Sequence, residues 1–338
     1  MDIEKFNRKI PKFKKLGKIK ECFHSNHQEC NGKIKQAHSI QRNGKISLIE
    51  SEVNGNLSVY TFTNFKSSEK SVIETLVPLG KKVASTFYGF CDFHDSSLFS
   101  DIENFETDID KEKHLFLHTY RSFAHSYHKK KEELNLWSEE FEKSEFNSKS
   151  GFSQFMRSKM EHDCKIALEE LNSKKQILDD ILESKTYSKL EYLVYQKEGL
   201  YPFAVSSQMS PKVTYKGSPM NNHEDANIPY ENPIITLLPD IKHTTAIIGI
   251  FPLEKKSSKL LNELENLNDL KLERAITSLI IANCENTFFS PLFWEKLNKK
   301  SQRKLIDEFI DNTSTSKYLN KWFNSSFNFF DDKYEIEI

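Results

Sequence analysis

The chain has 338 residues, 37% of them hydrophobic, and a formal net charge of −1 at pH 7. That length holds one large domain or two to three smaller ones, and the apolar fraction suffices for a packed core. No apolar run reaches bilayer-spanning length, and the charged N-terminus lacks a signal-peptide core, so a cytoplasmic protein with no membrane partner is expected. The cysteine count is odd, and Cys22, Cys30 and Cys91 gather near the N-terminus, which fits metal binding better than disulfides. Charge is unevenly spread: residues 1–45 carry 12 Lys or Arg against 4 Asp or Glu, a balance that attracts phosphate backbones or forms an ordinary solvated surface.

Residues 1–20 form a basic arm, with Lys12, Lys14, Lys15, Lys18 and Lys20, in which Pro11 and Gly17 discourage a long helix. Residues 21–31 hold the first two cysteines and end in the turn signal Asn31-Gly32. Lys33-Ile34-Lys35 reads as a short strand delivering Ala37 and His38. Further turns at Asn43-Gly44 and Asn54-Gly55 bracket short apolar stretches, so the region reads as small hairpins, with Leu57–Phe62 alternating clearly. Residues 63–82 read as an insertion. Val83–Phe90 then leads into Cys91-Asp92-Phe93-His94-Asp95, and a helix is expected from Asp95 through Phe99.

Beyond residue 110 the apolar period changes. Phe116, Tyr120, Phe123 and Tyr127 mark one helix reaching Trp137, and Ala167 through Leu182 mark a second over 152–183, the two packed as a hairpin. Residues 190–225 are broken by Pro202, Pro211, Gly217 and Pro219. Ile234–Leu238 and Thr244–Phe251 read as two buried strands of a β-hairpin. Leu264 through Ile280 is again amphipathic. Shorter helices are expected near 292–311 and 315–323, before an aromatic tail, Phe327-Asn328-Phe329-Phe330, that docks on the chain itself or makes an interface.

Four Cys or His side chains in two closely spaced pairs are the usual donors of a structural zinc site. Cys91 and His94 make one pair. Cys22 and Cys30 supply the other, with His27, three residues before Cys30, as the competing choice. The alternative is buried free cysteines beside surface histidines.

These stretches resemble the zinc-containing HNH, or His-Me finger, endonucleases over roughly residues 20–105. In that family a cysteine pair precedes a strand ending in the catalytic histidine, and a second pair lies where the next helix starts. The resemblance implies that His38 is the general base and that Cys22, Cys30, Cys91 and His94 hold a structural Zn²⁺. It places Asp95 as a helix-borne ligand to a catalytic Mg²⁺ or similar cation. Two family positions differ: Ala37 precedes the base where Asp or His is common, and Phe99 stands where a further ligand often lies. Glu103, Glu50 or Glu52 are candidates to complete the site. From the residues alone, His38 is also open to a metal-ligand or a structural role, and Asp95 to helix N-capping.

The resulting fold class is α+β: a zinc-stabilised ββα-metal (treble-clef-like) module followed by a mostly helical region with a β-hairpin. The expected divisions are 1–20 (arm), 21–108 (zinc module with insertion) and 109–338 (helical and mixed α/β). The expected function is metal-dependent phosphodiester hydrolysis with nucleic acid, DNA first, as partner, in a setting such as bacterial defence or a mobile element. A homo-oligomer or protein partner would use the C-terminal region. The alternatives are a noncatalytic zinc module for nucleic-acid or protein recognition, and a ribonuclease in the helical region built on Arg121, His125 and His128. The 234–251 hairpin lacks phosphate-loop glycines and offers no support for nucleotide hydrolysis.

Overall fold

The computed structural model describes residues 12–68, 71–104, 106–144, 147, 151–225, 227–313 and 323–331. The first eleven residues of the basic arm and nearly all of the helix expected at 315–323 lie outside them. Helices and strands are mixed throughout. The strands are β1 (Ile34–His38), β2 (Ser51–Val53), β3 (Asn56–Ser68), β4 (Ser71–Gly80), β5 (Thr86–Cys91), β6 (Glu191–Glu198), β7 (Phe203–Gln208), β8 (Ile234–Leu238), β9 (His243–Ile250) and β10 (Thr287–Phe289). Besides a helical stretch at 12–16, the α-helices of the described residues are α1 (Asp92–Glu103), α2 (Glu112–Asn135), α3 (Gly151–Ser184), α4 (Lys255–Glu265), α5 (Asp269–Asn283), α6 (Pro291–Lys296) and α7 (Lys299–Thr313).

Two sheets organise the chain. β1 and β5 pair antiparallel, Ile34 opposite Cys91 and His38 opposite Thr86, with an irregularity between Lys35 and Ala37. α1 follows β5 directly, giving the order strand, strand, helix. The second sheet runs β2-β3-β10-β7-β8-β9-β6, with β4 on β3. The stretch expected as an insertion is therefore most of a long β3–β4 hairpin, and β3 joins strands from the other end of the chain through β10. β8 and β9 are adjacent and antiparallel, and nearly every residue in them is buried, as for strands covered on both faces.

α2 is the strut between the two sheets. It packs on β7, β8 and β9 on one side and on β5, α1 and α3 on the others. Contact with so many elements explains why its buried residues run almost without break from His114 to His125. Its Ser122 hydroxyl lies 2.7 Å from that of Ser206 on β7 and 2.8 Å from that of Thr236 on β8, so a polar side chain meets the sheet with its bonding satisfied. Gly249 of β9 permits the approach: a Cβ there would lie 2.9 Å from Thr119 Oγ1. α3 packs against α2 as the expected helical hairpin, and pairs such as Lys159–Asp163 and Glu161–Lys165 line its outer side.

Three local expectations are revised. The Asn43-Gly44 stretch is a compact helical turn in which Ile46 N–H and Ser47 N–H bond back to Gln41 and Arg42 carbonyls. Burial of Ile40, Ile46 and Ile49 against the large sheet favours this over a hairpin. Residues 190–225 contain two strands, β6 and β7, whose prolines fall outside them. The helix expected from Asp95 begins earlier, at Asp92. The aromatic tail docks on its own chain: Phe329 stacks on Phe203 at 4.3 Å, and Phe330 packs edge-on to Tyr195. Among the described residues no helix is long and apolar enough to cross a membrane.

Candidate functional site

The first cysteine is set by strand-like pairing: Glu21 N–H bonds to Tyr88 O at 3.2 Å and Phe23 N–H to Gly89 O at 2.7 Å. This holds Cys22 beside β5. Cys30 follows a single 3₁₀ turn, His27–Glu29, and bonds back to His27 O. The chain then reverses at Asn31-Gly32. Gly32 has φ +78°, and a Cβ there would fall 2.6 Å from Asp92 Oδ2, so both conformation and space call for glycine. Asp92 ties the turn to α1 by accepting Lys33 N–H and pairing with Lys35. Cys91 ends β5 and caps α1, its sulfur accepting His94 N–H. Cys91 rather than Asp95 is thus the N-cap.

Cys22, Cys30, Cys91 and His94 converge, their donor atoms all within 4.8 Å of one another, to form a Cys₃His cluster able to hold a metal ion such as zinc. His94 Nδ1 lies 3.4, 3.6 and 3.3 Å from the sulfurs of Cys22, Cys30 and Cys91. Zinc–sulfur and zinc–nitrogen bonds of about 2.3 and 2.0–2.1 Å at tetrahedral angles give sulfur–nitrogen edges of about 3.5 Å. The donor set fits zinc in softness and in spacing. His27 is exposed and outside the cluster.

The surroundings suit an ion as well. His94 stacks on His24 with ring centroids 3.9 Å apart. His94 Nε2 is buried without a hydrogen-bond partner, and Glu29 Oε2 is 3.9 Å away, the kind of carboxylate that orients a ligating imidazole. Burial pushes the Cys22 thiol up to about 12 and the Cys30 thiol upward. Burial also acts to raise Cys91, but bonds from the His94 and Asn31 backbone and the neighbouring thiols bring it below its ordinary value.

A second constellation lies at the far end of β1. His38 Nδ1 is 3.0 Å from Ala84 O and 3.3 Å from Ser85 Oγ. A carbonyl only accepts, so Nδ1 carries the proton and Nε2 is left with its lone pair. Ser85 has φ +58°, a left-handed conformation costly for a side-chain-bearing residue, and its hydroxyl donates to Ile40 O. Burial lowers the His38 pKa to about 4, assisted by the Arg121 and Arg42 charges and opposed by the Ala84 bond and Glu103.

Asp95, Phe99 and Glu103 follow one another at four-residue steps along one side of α1. Asp95 Oδ1 is buried without a hydrogen-bond partner. Burial raises its carboxyl pKa, Arg121 counters and Glu103 adds to the rise. Arg121, reaching over from α2, places Nη2 2.6 Å from Glu103 Oε1 and 3.8 Å from Asp95 Oδ1. Its guanidinium lies over the Phe99 ring at 4.4 Å. Both positions that differ from the family pattern, Ala37 and Phe99, are buried apolar residues of the core beneath. Glu50 is instead paired with Lys81, and Glu52 is exposed on β2.

The three polar residues singled out on α2 take different surroundings. Arg121 belongs to the α1 carboxylates. His125 and His128 are buried edge-on against Phe87, and His128 Nε2 lies 3.4 Å from Glu132 Oε1. Arg121 as a partner of Asp95 and Glu103 was missed from sequence. Only the structure shows that it stands inside the continuous buried run His114–His125, where a solvated charge has no place. Arg42 and Glu29 carried no signal beyond proximity to the motifs. Comparison with known proteins finds no match: no family model, no curated protein and no solved structure is recognisably similar to the chain.

Proposed function

We propose that the chain is a nuclease of the HNH, or His-Me finger, kind, hydrolysing phosphodiester bonds in nucleic acid, DNA first. The observation that carries this reading is His38: a histidine at the end of β1, its Nδ1–H fixed on Ala84 O and its Nε2 free, on a strand-strand-helix unit that also bears the Cys₃His cluster. An imidazole so held is neutral through the physiological range and able to accept a proton from water, as a weaker base than a free imidazole. In the proposed reaction the water oxygen attacks phosphorus and its proton passes to His38 Nε2, while the phosphorus–oxygen bond to the leaving group breaks and the departing alkoxide oxygen takes a proton from solvent water.

Zinc in the Cys₃His cluster is assigned a structural role, since three sulfurs and one nitrogen fill a tetrahedral shell and leave no open position. For a second cation such as Mg²⁺, Asp95 Oδ1 is a fitting hard donor, being a buried carboxylate oxygen without a hydrogen-bond partner, and Glu103 offers another on the same helix side. A divalent ion held there would offset charge on the nonbridging and leaving oxygens. Asp95 and Glu103 do the positioning, and Phe99 between them keeps the helix seated on the core.

A noncatalytic zinc module for nucleic-acid or protein recognition is the second reading, favoured by the apolar Ala37 and Phe99 at positions that often bind metal in the family. One experiment separates them. Purified protein with Mg²⁺ or Mn²⁺ is incubated with single- and double-stranded DNA and RNA beside His38→Ala. Cleavage that needs the cation and falls by about 10²–10⁴-fold in the variant supports the nuclease. Cleavage unchanged by His38→Ala removes His38 as base, and nucleic-acid binding without cleavage favours the second reading.

A further inference from the structure

We infer that a cleft between the 214–218 turn and α4 binds the di- or triphosphate group of a small molecule, a site that does not depend on the assignment of His38. The cleft has a volume of about 560 Å³, within the range of small-molecule sites. Lys216 and Ser218 line it from the turn, and Lys255, Ser258, Lys259 and Asn262 from the helix. Its shape is set locally. Gly217 has φ +84° and closes a tight turn in which Thr214 N–H bonds to Ser218 O at 2.8 Å and Gly217 N–H to Thr214 O at 2.9 Å. Glu263, also in the lining and only 6% exposed, accepts Lys216 N–H at 2.7 Å and so fixes the turn to α4. The four helix residues recur at steps of three and four, which puts them on one side of α4.

The lining is unbalanced in charge. Three ammonium groups meet one carboxylate, and that carboxylate already serves a backbone N–H. Among the described residues none of the three lysines makes an ion pair, and Lys259 Nζ donates to Ser218 Oγ at 2.6 Å, which leaves the serine's own hydrogen to give. Ammonium groups gathered at one cleft repel one another, and a multivalent anion relieves that repulsion while taking charge-assisted hydrogen bonds. A carboxylate gathers its two oxygens on one carbon. A di- or triphosphate spreads many oxygens along a short chain, as the lysines are spread over two elements, and lysine serves phosphate as a point charge. The lining has no aromatic or large apolar side chain, so the phosphates are what the cleft grips and the rest of the ligand stays in solvent. Glu191 of β6 bounds the site, accepting the Ser258 hydroxyl at 3.0 Å. A nucleic-acid backbone running on past the cleft would meet this carboxylate, so a short polyphosphate fits better than a strand.

The test is titration calorimetry on the full-length protein at low salt without divalent cations, with pyrophosphate, tripolyphosphate, ATP and a single-stranded oligonucleotide as probes. Tripolyphosphate and ATP are expected to bind saturably, and less tightly as salt rises. Lys216→Gln, Lys255→Gln and Lys259→Gln should each weaken binding by about fivefold, the upper value for an exposed charge pair. These lysines are exposed, so the variants should fold as the wild type does. Lys159→Gln, on an exposed pair with Asp163 in α3, should leave binding unchanged. ATP binding more tightly than tripolyphosphate supports the site and points to a nucleotide, and equal affinities support it with the bare polyphosphate chain as the group recognised. Absence of saturable binding by pyrophosphate, tripolyphosphate and ATP alike overturns the inference, as does wild-type affinity in all three lysine variants. Binding of the oligonucleotide alone, weakened by the same variants, also overturns it and makes the cleft a nucleic-acid contact.

Discussion

Replacing Cys91 by serine tests what a metal ion in the Cys₃His cluster would contribute to this fold. Cys91 is both a donor of the Cys₃His cluster and the N-cap of α1. Serine is a strong N-cap, so the helix start survives while the donor is lost. Structural zinc contributes about 10–16 kcal/mol of apparent binding free energy in small modules, against a total stability of about 5–15 kcal/mol for an ordinary domain. Cys22, Phe23, Phe90 and Cys91 share a core with Tyr120 and Phe123 of α2, so loss of the ion reaches the strut. The expected outcome is loss of one bound zinc per chain by elemental analysis. Amide-exchange protection should fall over residues 21–38 and 86–103, with β8, β9 and α5 still protected. Cys284→Ser is the control: this cysteine is buried in a different core from Cys22 and Cys91, so the variant should lose about 1–3 kcal/mol for an unmatched hydroxyl and bind zinc as the wild type does. Tight zinc binding and wild-type exchange in Cys91→Ser would refute the assignment.

Other outcomes follow from the same geometry. Burial holds His118 and His125 at about 3, and His38 at about 4, below the usual 6.5. The unfolded chain therefore binds protons that the native state refuses between these values and 6.5. Stability should be full above 6.5 and fall on acidification by up to about 1.4 kcal/mol per pH unit per group. Urea midpoints from pH 7 to 4 check this, and an unchanged slope in His125→Gln would count against it. If the proposed cleavage uses His38 as base, the acid limb of kcat/KM should likewise fall near pH 4, where burial places its imidazole, and a limb at 6.5 would show that this burial is not realised. Gly249→Val should cost about 1–3 kcal/mol by overpacking against Thr119 and lower activity through displacement of α2, measured by denaturation and cleavage together. Ser85→Val puts a branched side chain at φ +58° and should cost about 1–2 kcal/mol. It should also lower kcat as Ala84 O loses its aim at His38, whereas a wild-type rate would detach that carbonyl from function.

The local features were legible in the sequence because short-range chemistry sets them. Cys91 and His94, one turn apart, announce a donor pair wherever the chain runs. Asn31-Gly32 needs its glycine for φ +78°, and the alternation in 57–62 and the apolar runs at 234–238 and 244–251 specify strands from within. The stripe Phe116–Tyr127 specifies a helix in the same way. Convergence of Cys22 and Cys30 on Cys91 was inferable too, since soft donors in a small basic module have few other partners.

What lay out of reach depends on groups far apart in the chain. Pairing of β3 with β10 joins residues 60–61 to 288–289, and no pattern in either strand names its partner. Burial of the stretch around Ile46 turns an expected hairpin into a helical turn, because three isoleucines gain more from the core than the turn signal Asn43-Gly44 gains from a hairpin. Arg121 is the clearest case. On its own helix it is one charge among histidines and lysines, and its place over Phe99, between Asp95 and Glu103, exists only because α2 crosses α1. Residue type and spacing in the sequence singled out the four members of the Cys₃His cluster and His38. Tertiary packing decided which charges act on His38, and which carboxylates Arg121 meets, since electrostatics depends on distance through space rather than along the chain.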